Sequence, residues 1–284
     1  MERTFATEAP ALDRIRGFAF DLDGTIWAGP TLLPGAAELV GELRAAGVPV
    51  VFVSNSSRQG AAVLARRLCD LGITAGEDEV AAAFDLVADE ILRRLGRVRV
   101  MPLGTRDLSE LLESAGHEVV PFEDWTRADA VVVGNDPAFD FARLRSASRA
   151  VAAGAAFFAV NLDARFPVAL DHFDPGCGAL AEAVAVASGV RPVAVGKPEL
   201  PLFRLAIDRL RCGPSEAAMV GDNLPSDITG GRAAGMFTVW LDGRSGVPPR
   251  EADLRVSSLV ELRSLWNARG GRGAVQRGEA ADRI

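Results

Sequence analysis

FAFDLDGTIWAG, residues 18–29, decides the fold: an apolar run from Phe18 to Asp21 with the length of a buried strand leads directly into two acids and a glycine. If the strand ends at Asp21, the turn after it can point the carboxylates of Asp21 and Asp23 into one pocket. Gly24 then gives the backbone room beside a ligand. An Asx turn is the plainer use of the same residues. Working outward, apolar runs recur at 48–54, 193–195, 217–221 and 238–241, separated by longer stretches of helical period rich in Ala, Leu and Arg. That alternation predicts an α/β chain with a parallel, Rossmann-like sheet, and ligands in such sheets bind beyond the carboxyl ends of the strands.

Further runs at 98–102, 130–134 and 156–160 make a second set of such units. Residues 79–190 are therefore expected to form an inserted α/β domain, with 12–78 and 191–266 as the first domain. The stretch 267–284 is rich in Gly, Arg, Glu and Ala without apolar period, and is expected to be disordered. The chain has 284 residues, 49% hydrophobic and 24% charged, which is globular composition. At that length it buries roughly three quarters of its unfolded surface, so no metal or disulfide staple is needed to fold it. Its net charge of −7 lacks the basic footprint of a nucleic-acid binder. Three widely spaced cysteines argue against a disulfide framework and for a reducing compartment, the cytoplasm. The charged N-terminus does not read as a secretory signal. The longest apolar stretch, Ala150 to Val160, is about half the length of the roughly 20-residue membrane span.

Three more strand ends carry polar groups. VVFVSNSSRQG (50–60) ends in Ser54, Asn55, Ser56, Ser57 and Arg58, whose hydroxyls and N–H groups suit an anion cradle or, equally, a helix cap. In AVGKPELPLF (194–203), Lys197 follows a strand and can neutralise a phosphate or sit solvated on the surface. AAMVGDNLPSDITGGRAAG (217–235) ends its apolar run at Gly221 and continues to Asp222 and Asp227. A few carboxylates with no histidine cluster match Mg²⁺. Four such ends in one chain exceed what capping alone accounts for.

Together these segments resemble the haloacid dehalogenase superfamily, whose motifs run DxDGT, Ser or Thr, Lys, and GDxxxxD. Here they stand at Asp21 to Thr25, Ser54, Lys197 and Gly221 to Asp227. Asp21 and Ser54 are 33 positions apart, and Ser54 and Lys197 are 143, so a cap domain sits in the second gap. That placement, with Trp27 and Gly29 after DGT, resembles subfamily IIA, the group of the NagD nucleotide monophosphatase, 4-nitrophenylphosphatases and phosphoglycolate phosphatases. VGNDPAF (133–139), NLDARFP (161–167) and PGCGAL (175–180) are similar to segments of that group's cap.

The resemblance implies a phosphatase acting on a small-molecule phosphate ester through an aspartyl-phosphate. Asp21 would be the nucleophile and Asp23 the general acid and base. Mg²⁺ would be held by the Asp21 carboxylate, the Asp23 carbonyl and Asp222, with Asp227 supporting them. Ser54, the N–H groups of Asn55 and Ser56, and Lys197 would bind the phosphoryl oxygens. In the cap, Arg165 and Phe166 are the specificity candidates, with Phe166 standing where relatives often carry a polar residue or His. Many relatives form homodimers through the cap, although nothing in the composition fixes oligomeric state.

A phosphotransferase and a phospho-accepting signalling or binding module are the alternatives; the chain length, the insert and the Asp-x-Asp order disfavour the module. The dinucleotide-like Gly176-Cys177-Gly178 pattern is set aside, because DHFDP before it does not read as a strand. Cys177 reads as a small buried hydrophobe.

Overall fold

The computed structural model describes residues 12–169, 172–242 and 252–278. The chain divides into two compact units, one drawn from 1–52, 71–73 and 207–284, the other from 53–70 and 74–206. Residues 53–70, 74–78 and 191–206, which the sequence reading counts with the first domain, group with the insert in the second unit. The helix Ala61–Asp70 packs there on 77–82, and its first N–H donates to Asp85 at 2.7 Å.

In the first unit the strands run Leu254–Val256, Phe237–Leu241, Ala217–Gly221 and Gly17–Asp21, mutually parallel, followed by the first three residues of Val50–Ser54. Every residue of Gly17–Asp21, Val50–Ser54 and Ala217–Gly221 is buried, which is why these strands read as unbroken apolar runs. Phe18 and Phe20 stack 5.8 Å apart, and Phe18 meets the edge of Trp266 at 5.2 Å. Trp266 belongs to the helix Leu259–Gly278, which buries Leu259, Leu262 and Trp266 on one stripe. Arg263 of that helix grips Glu42 of the helix Ala36–Ala45 at 2.7 Å, and this hydrogen bond holds the Glu42 carboxyl below the usual carboxylate range. The terminal helix reaches Gly278, so 267–278, expected to be disordered, is helical. A helix already nucleated on a packed face extends at little cost. Residues 279–284 lie outside the described residues.

In the second unit a five-stranded parallel sheet runs Val193–Ala194, Ala156–Ala159, Ala130–Val133, Arg99–Leu103 and Glu118–Val119. Helices Ala83–Leu95, Arg106–Ser114, Phe141–Ala152 and Cys177–Ser188 connect it. The helix Phe141–Ala152 is capped by Asp140, which accepts the Arg143 N–H at 2.8 Å, while the Arg143 guanidinium pairs with buried Asp136 at 2.6 Å. DHFDP is a correction: His172–Pro175 is a strand, paired antiparallel with Arg165–Ala169. Its side chains are exposed, so it lacks the apolar run that marks a core strand. Cβ atoms at Gly176 and Gly178 would collide with the backbone of 162–165, and this close approach accounts for the two glycines. Cys177 is buried, donates to the Val133 carbonyl at 3.1 Å, and its thiol is pushed up to about 12 by desolvation. No helix of the described residues is long and apolar enough to cross a membrane.

Arg99 binds Asp129 through its side chain and backbone N–H, which lowers the Asp129 carboxyl to about 2. Because the folded value lies below the unfolded one, the bond stabilises fully above pH about 4 and is lost as pH falls through about 2. Both side chains are partly exposed, so the effect is modest. Asp129→Asn is expected to lower the melting temperature by about a few degrees at pH 7, with the gap closing between pH about 4 and about 2 in a series of thermal melts.

Candidate active site

In the first unit the site begins where Gly17–Asp21 ends. The buried Leu22 carbonyl accepts from the N–H groups of Thr25, Ile26 and Trp27, at 3.3, 2.9 and 3.0 Å, winding the chain into a tight turn. Gly24 closes it with φ +93°, and a Cβ there would run into the Asp222 carboxylate. Asp21 is buried at the strand end and Asp23 is exposed. The indole of fully buried Trp27 donates to Asp23 Oδ1 at 2.7 Å, which fixes the direction of that carboxylate.

The next strand, Ala217–Gly221, delivers the second pair of acids. Asn223 accepts from the Ser226 N–H at 3.2 Å and starts a single π-type turn, Leu224–Ile228. The turn folds fully buried Asp227 back onto Gly221, where any Cβ would overlap its carboxylate. Asp227 accepts from the Asn223 N–H at 3.1 Å and from the Ser226 hydroxyl at 3.2 Å. The Trp240 indole donates to the Asp222 carbonyl at 3.0 Å.

Carboxylate oxygens of Asp21, Asp222 and Asp227 lie within 4.8 Å of one another. Three like charges this close favour a cation among them, and an all-oxygen donor set suits a hard ion such as Mg²⁺. The residues present therefore fit the metal that the sequence implies. Asp222 and Gly24 also line an open groove of about 940 Å³, together with Leu33, Pro34 and Trp240.

The second unit holds the remaining sequence-derived residues. Ser54 is buried, and its hydroxyl accepts from the Ser56 N–H at 3.1 Å. The Ser56 hydroxyl in turn accepts from the Gln59 N–H at 2.9 Å, so it serves the turn before the helix Ala61–Asp70. Lys197 is buried, with its ammonium 3.4 Å from the Val53 carbonyl. Asn55 does not point into open space. Its Oδ1 accepts from the Lys197 N–H at 2.6 Å, and its Nδ2 donates to the Lys197 carbonyl and to Asp163, each at 3.0 Å. Arg58 donates to Asn135 at 2.6 Å. Arg165 is exposed, and its guanidinium lies over the Phe173 ring at 4.2 Å. Phe166 stands opposite Asp174 in the hairpin, and its side chain lies outside the described residues.

The structure thus brings Asp21, Asp222 and Asp227 together in one unit, and Asn55 with Lys197 in the other. Sequence reading passed over Trp27 as the partner of Asp23, Trp240 as the partner of Asp222, and Asn161 and Asp163 around Asn55. The one signal for the last two is the polar-x-acid spacing in NLDARFP, a segment from which the sequence reading takes only Arg165 and Phe166.

A family profile described as haloacid dehalogenase-like hydrolase matches residues 18–118, and a second, HAD-hydrolase-like, matches 194–257. Chronophin from Mus musculus is 35% identical over 253 residues, 86% of this chain and 86% of that protein. Among solved structures, a p-nitrophenyl phosphatase from Archaeoglobus fulgidus is 32% identical with a TM-score of 0.78, covering 88% of this chain and 98% of that one. A glycerol phosphate phosphatase from Mycobacterium tuberculosis, in complex with magnesium, is 30% identical with a TM-score of 0.78, covering 90% and 78%. The chain belongs to the haloacid dehalogenase-like hydrolases, in their subfamily IIA of phosphatases.

Removing one carboxylate from the cluster should weaken its hold on a divalent ion. Calorimetric titration of the full chain with Mg²⁺ or Mn²⁺ is expected to show at least about a tenfold loss of affinity in Asp222→Asn. An unchanged affinity would place the ion elsewhere.

Proposed function

We propose that this chain is a Mg²⁺-dependent phosphomonoester hydrolase that works through an aspartyl-phosphate on a small phosphorylated metabolite, of the size of a nucleoside monophosphate or a sugar or glycerol phosphate. The observation that carries the reading is the pairing of Asp21, in a three-carboxylate cluster, with Asp23, exposed two residues on and steered by Trp27. A carboxylate for attack and a separate carboxyl for proton transfer are what a two-step hydrolysis needs. The similar p-nitrophenyl phosphatase and the glycerol phosphate phosphatase in complex with magnesium support the same reading.

In the first step an Asp21 oxygen attacks phosphorus, the ester P–O bond breaks, and Asp23 gives its proton to the leaving oxygen. In the second, Asp23 takes a proton from water, the resulting hydroxide attacks phosphorus, and the bond to Asp21 breaks. Inorganic phosphate leaves and both acids return to their starting state. Ser54, the Asn55 N–H and Lys197 serve as donors to the phosphoryl oxygens, whose charge grows as the group transfers, while the Ser56 N–H, which the sequence counts among them, donates to the Ser54 hydroxyl at 3.1 Å. Asp21 and Asp222, the Asp23 carbonyl and, in support, Asp227 hold Mg²⁺, which when bound supplies positive charge against the repulsion between carboxylate and phosphate. The hydrolase core is 12–78 with 191–266 and the cap is 79–190, where Arg165 and Phe166 select the leaving group.

The test is phosphate release from a panel of 4-nitrophenyl phosphate, glycerol phosphates and nucleoside monophosphates, with Mg²⁺ or EDTA. Turnover that needs Mg²⁺ and falls on the order of 10³-fold or more in Asp21→Asn is expected. Stoichiometric labelling without turnover would favour a phospho-accepting module, and transfer to an acceptor alcohol a phosphotransferase. Trp27→Phe, which keeps the ring and deletes the N–H, is expected to lower kcat about tenfold with KM nearly unchanged. An unaltered kcat would remove Trp27 from the machinery.

A further inference from the structure

We propose that Asn161 and Asp163 are positioning residues that act through Asn55 to hold Lys197 in place. The inference rests on the phosphatase reading for its consequence, and on hydrogen bonds within the second unit for its substance. The Asn55 amide closes on both backbone groups of Lys197, accepting its N–H at 2.6 Å and donating to its carbonyl at 3.0 Å. The second hydrogen of the same amide goes to the Asp163 carboxylate at 3.0 Å, a charge-assisted bond. Asn161 completes the ring from the other side. Its Nδ2 donates to the Asn55 carbonyl at 2.5 Å, and its Oδ1 accepts from the Asp163 N–H at 3.0 Å.

Three loops distant in sequence therefore meet on one side chain. Only an amide satisfies the arrangement, because the position needs one acceptor and two donors. An aspartate at 55 would set a second carboxylate against Asp163 and leave the Lys197 carbonyl without its donor. Gly196 belongs to the same device: a Cβ there would lie 2.6 Å from Asn55 Oδ1 and 2.9 Å from the Val160 carbonyl. The backbone of Lys197 is thus fixed at one end, while its ammonium reaches the Val53 carbonyl, one residue before Ser54. A cation placed this way is preorganised for charge that develops on a phosphoryl group, and its value in the transition state depends on not having to move. NLDARFP divides accordingly, Asn161 and Asp163 serving Lys197 and Arg165 beginning the exposed hairpin.

The experiment uses full-length protein, with Asn161→Ala, Asp163→Ala and the conservative Asp163→Asn beside the parent. Three quantities are read: amide hydrogen exchange at Lys197, kcat and KM for 4-nitrophenyl phosphate, and competitive inhibition by inorganic phosphate. Both alanine variants are expected to exchange the Lys197 amide at least about tenfold faster, to lose about 10- to 100-fold in kcat/KM, and to bind inorganic phosphate about tenfold more weakly. Asp163→Asn, which keeps an oxygen for the Asn55 amide, is expected to recover most of each. Parental exchange at Lys197 in both alanine variants overturns the proposal. So does faster exchange with unchanged kinetics and phosphate inhibition, or a lowered melting temperature with the folded fraction fully active. If the parent hydrolyses no ester, the phosphatase reading fails, while the exchange measurements still decide whether Asn161 and Asp163 hold Lys197.

Discussion

Three carboxylates held within 4.8 Å repel one another, and much of the first unit is built to keep them there. Asp21 closes one buried strand and Asp222 directly follows its parallel neighbour, in register with Phe20 opposite Val220. Rigid strands buried on both faces resist the spreading that like charge would otherwise cause. The approach is then completed by what is missing: at Gly24 and at Gly221 a single methyl group would occupy the volume of a carboxylate. A cation among the acids would turn this repulsion into affinity, which is how a site with no histidine or thiolate ligand can hold a hard ion.

The two tryptophans beside these acids do different work. Trp27 binds the carboxylate of Asp23, the acid that is exposed, and so limits a group that would otherwise rotate freely. Trp240 binds the backbone carbonyl of Asp222 and leaves that carboxylate to the cluster. One constrains the acid proposed to carry the proton and the other the loop bearing a carboxylate of the cluster.

Much of this was legible in the sequence, because buried parallel strands announce themselves as unbroken apolar runs and the acids follow directly at 21–23 and 222–227. The short exposed strand was not. His172–Pro175 carries His, Asp and Pro with exposed side chains, and its pairing comes from its partner strand. Composition, which weighs each residue alone, predicts disorder past Trp266, whereas the helix Leu259–Gly278 continues from the packed turn before it. The sequence offers Asn55 as part of an anion cradle through its N–H; that its side chain is committed elsewhere depends on partners 108 and 142 positions away. No local pattern encodes such a meeting. The indole bond of Trp27 spans only four positions, yet in the sequence that aromatic marks a family resemblance and carries no sign of the hydrogen it donates.

Of the four tryptophans in the chain, the two whose indole N–H groups bind Asp23 and Asp222 sit beside the residues assigned to proton transfer and to the metal. Indole emission shifts in colour with the electric field across the ring, and a carboxylate that loses its charge, or gains a cation nearby, changes that field. The molecule therefore carries its own optical reporters. Light absorbed at these rings, with no dye attached, converts the arrival of an ion or a proton at the acids into a spectral signal.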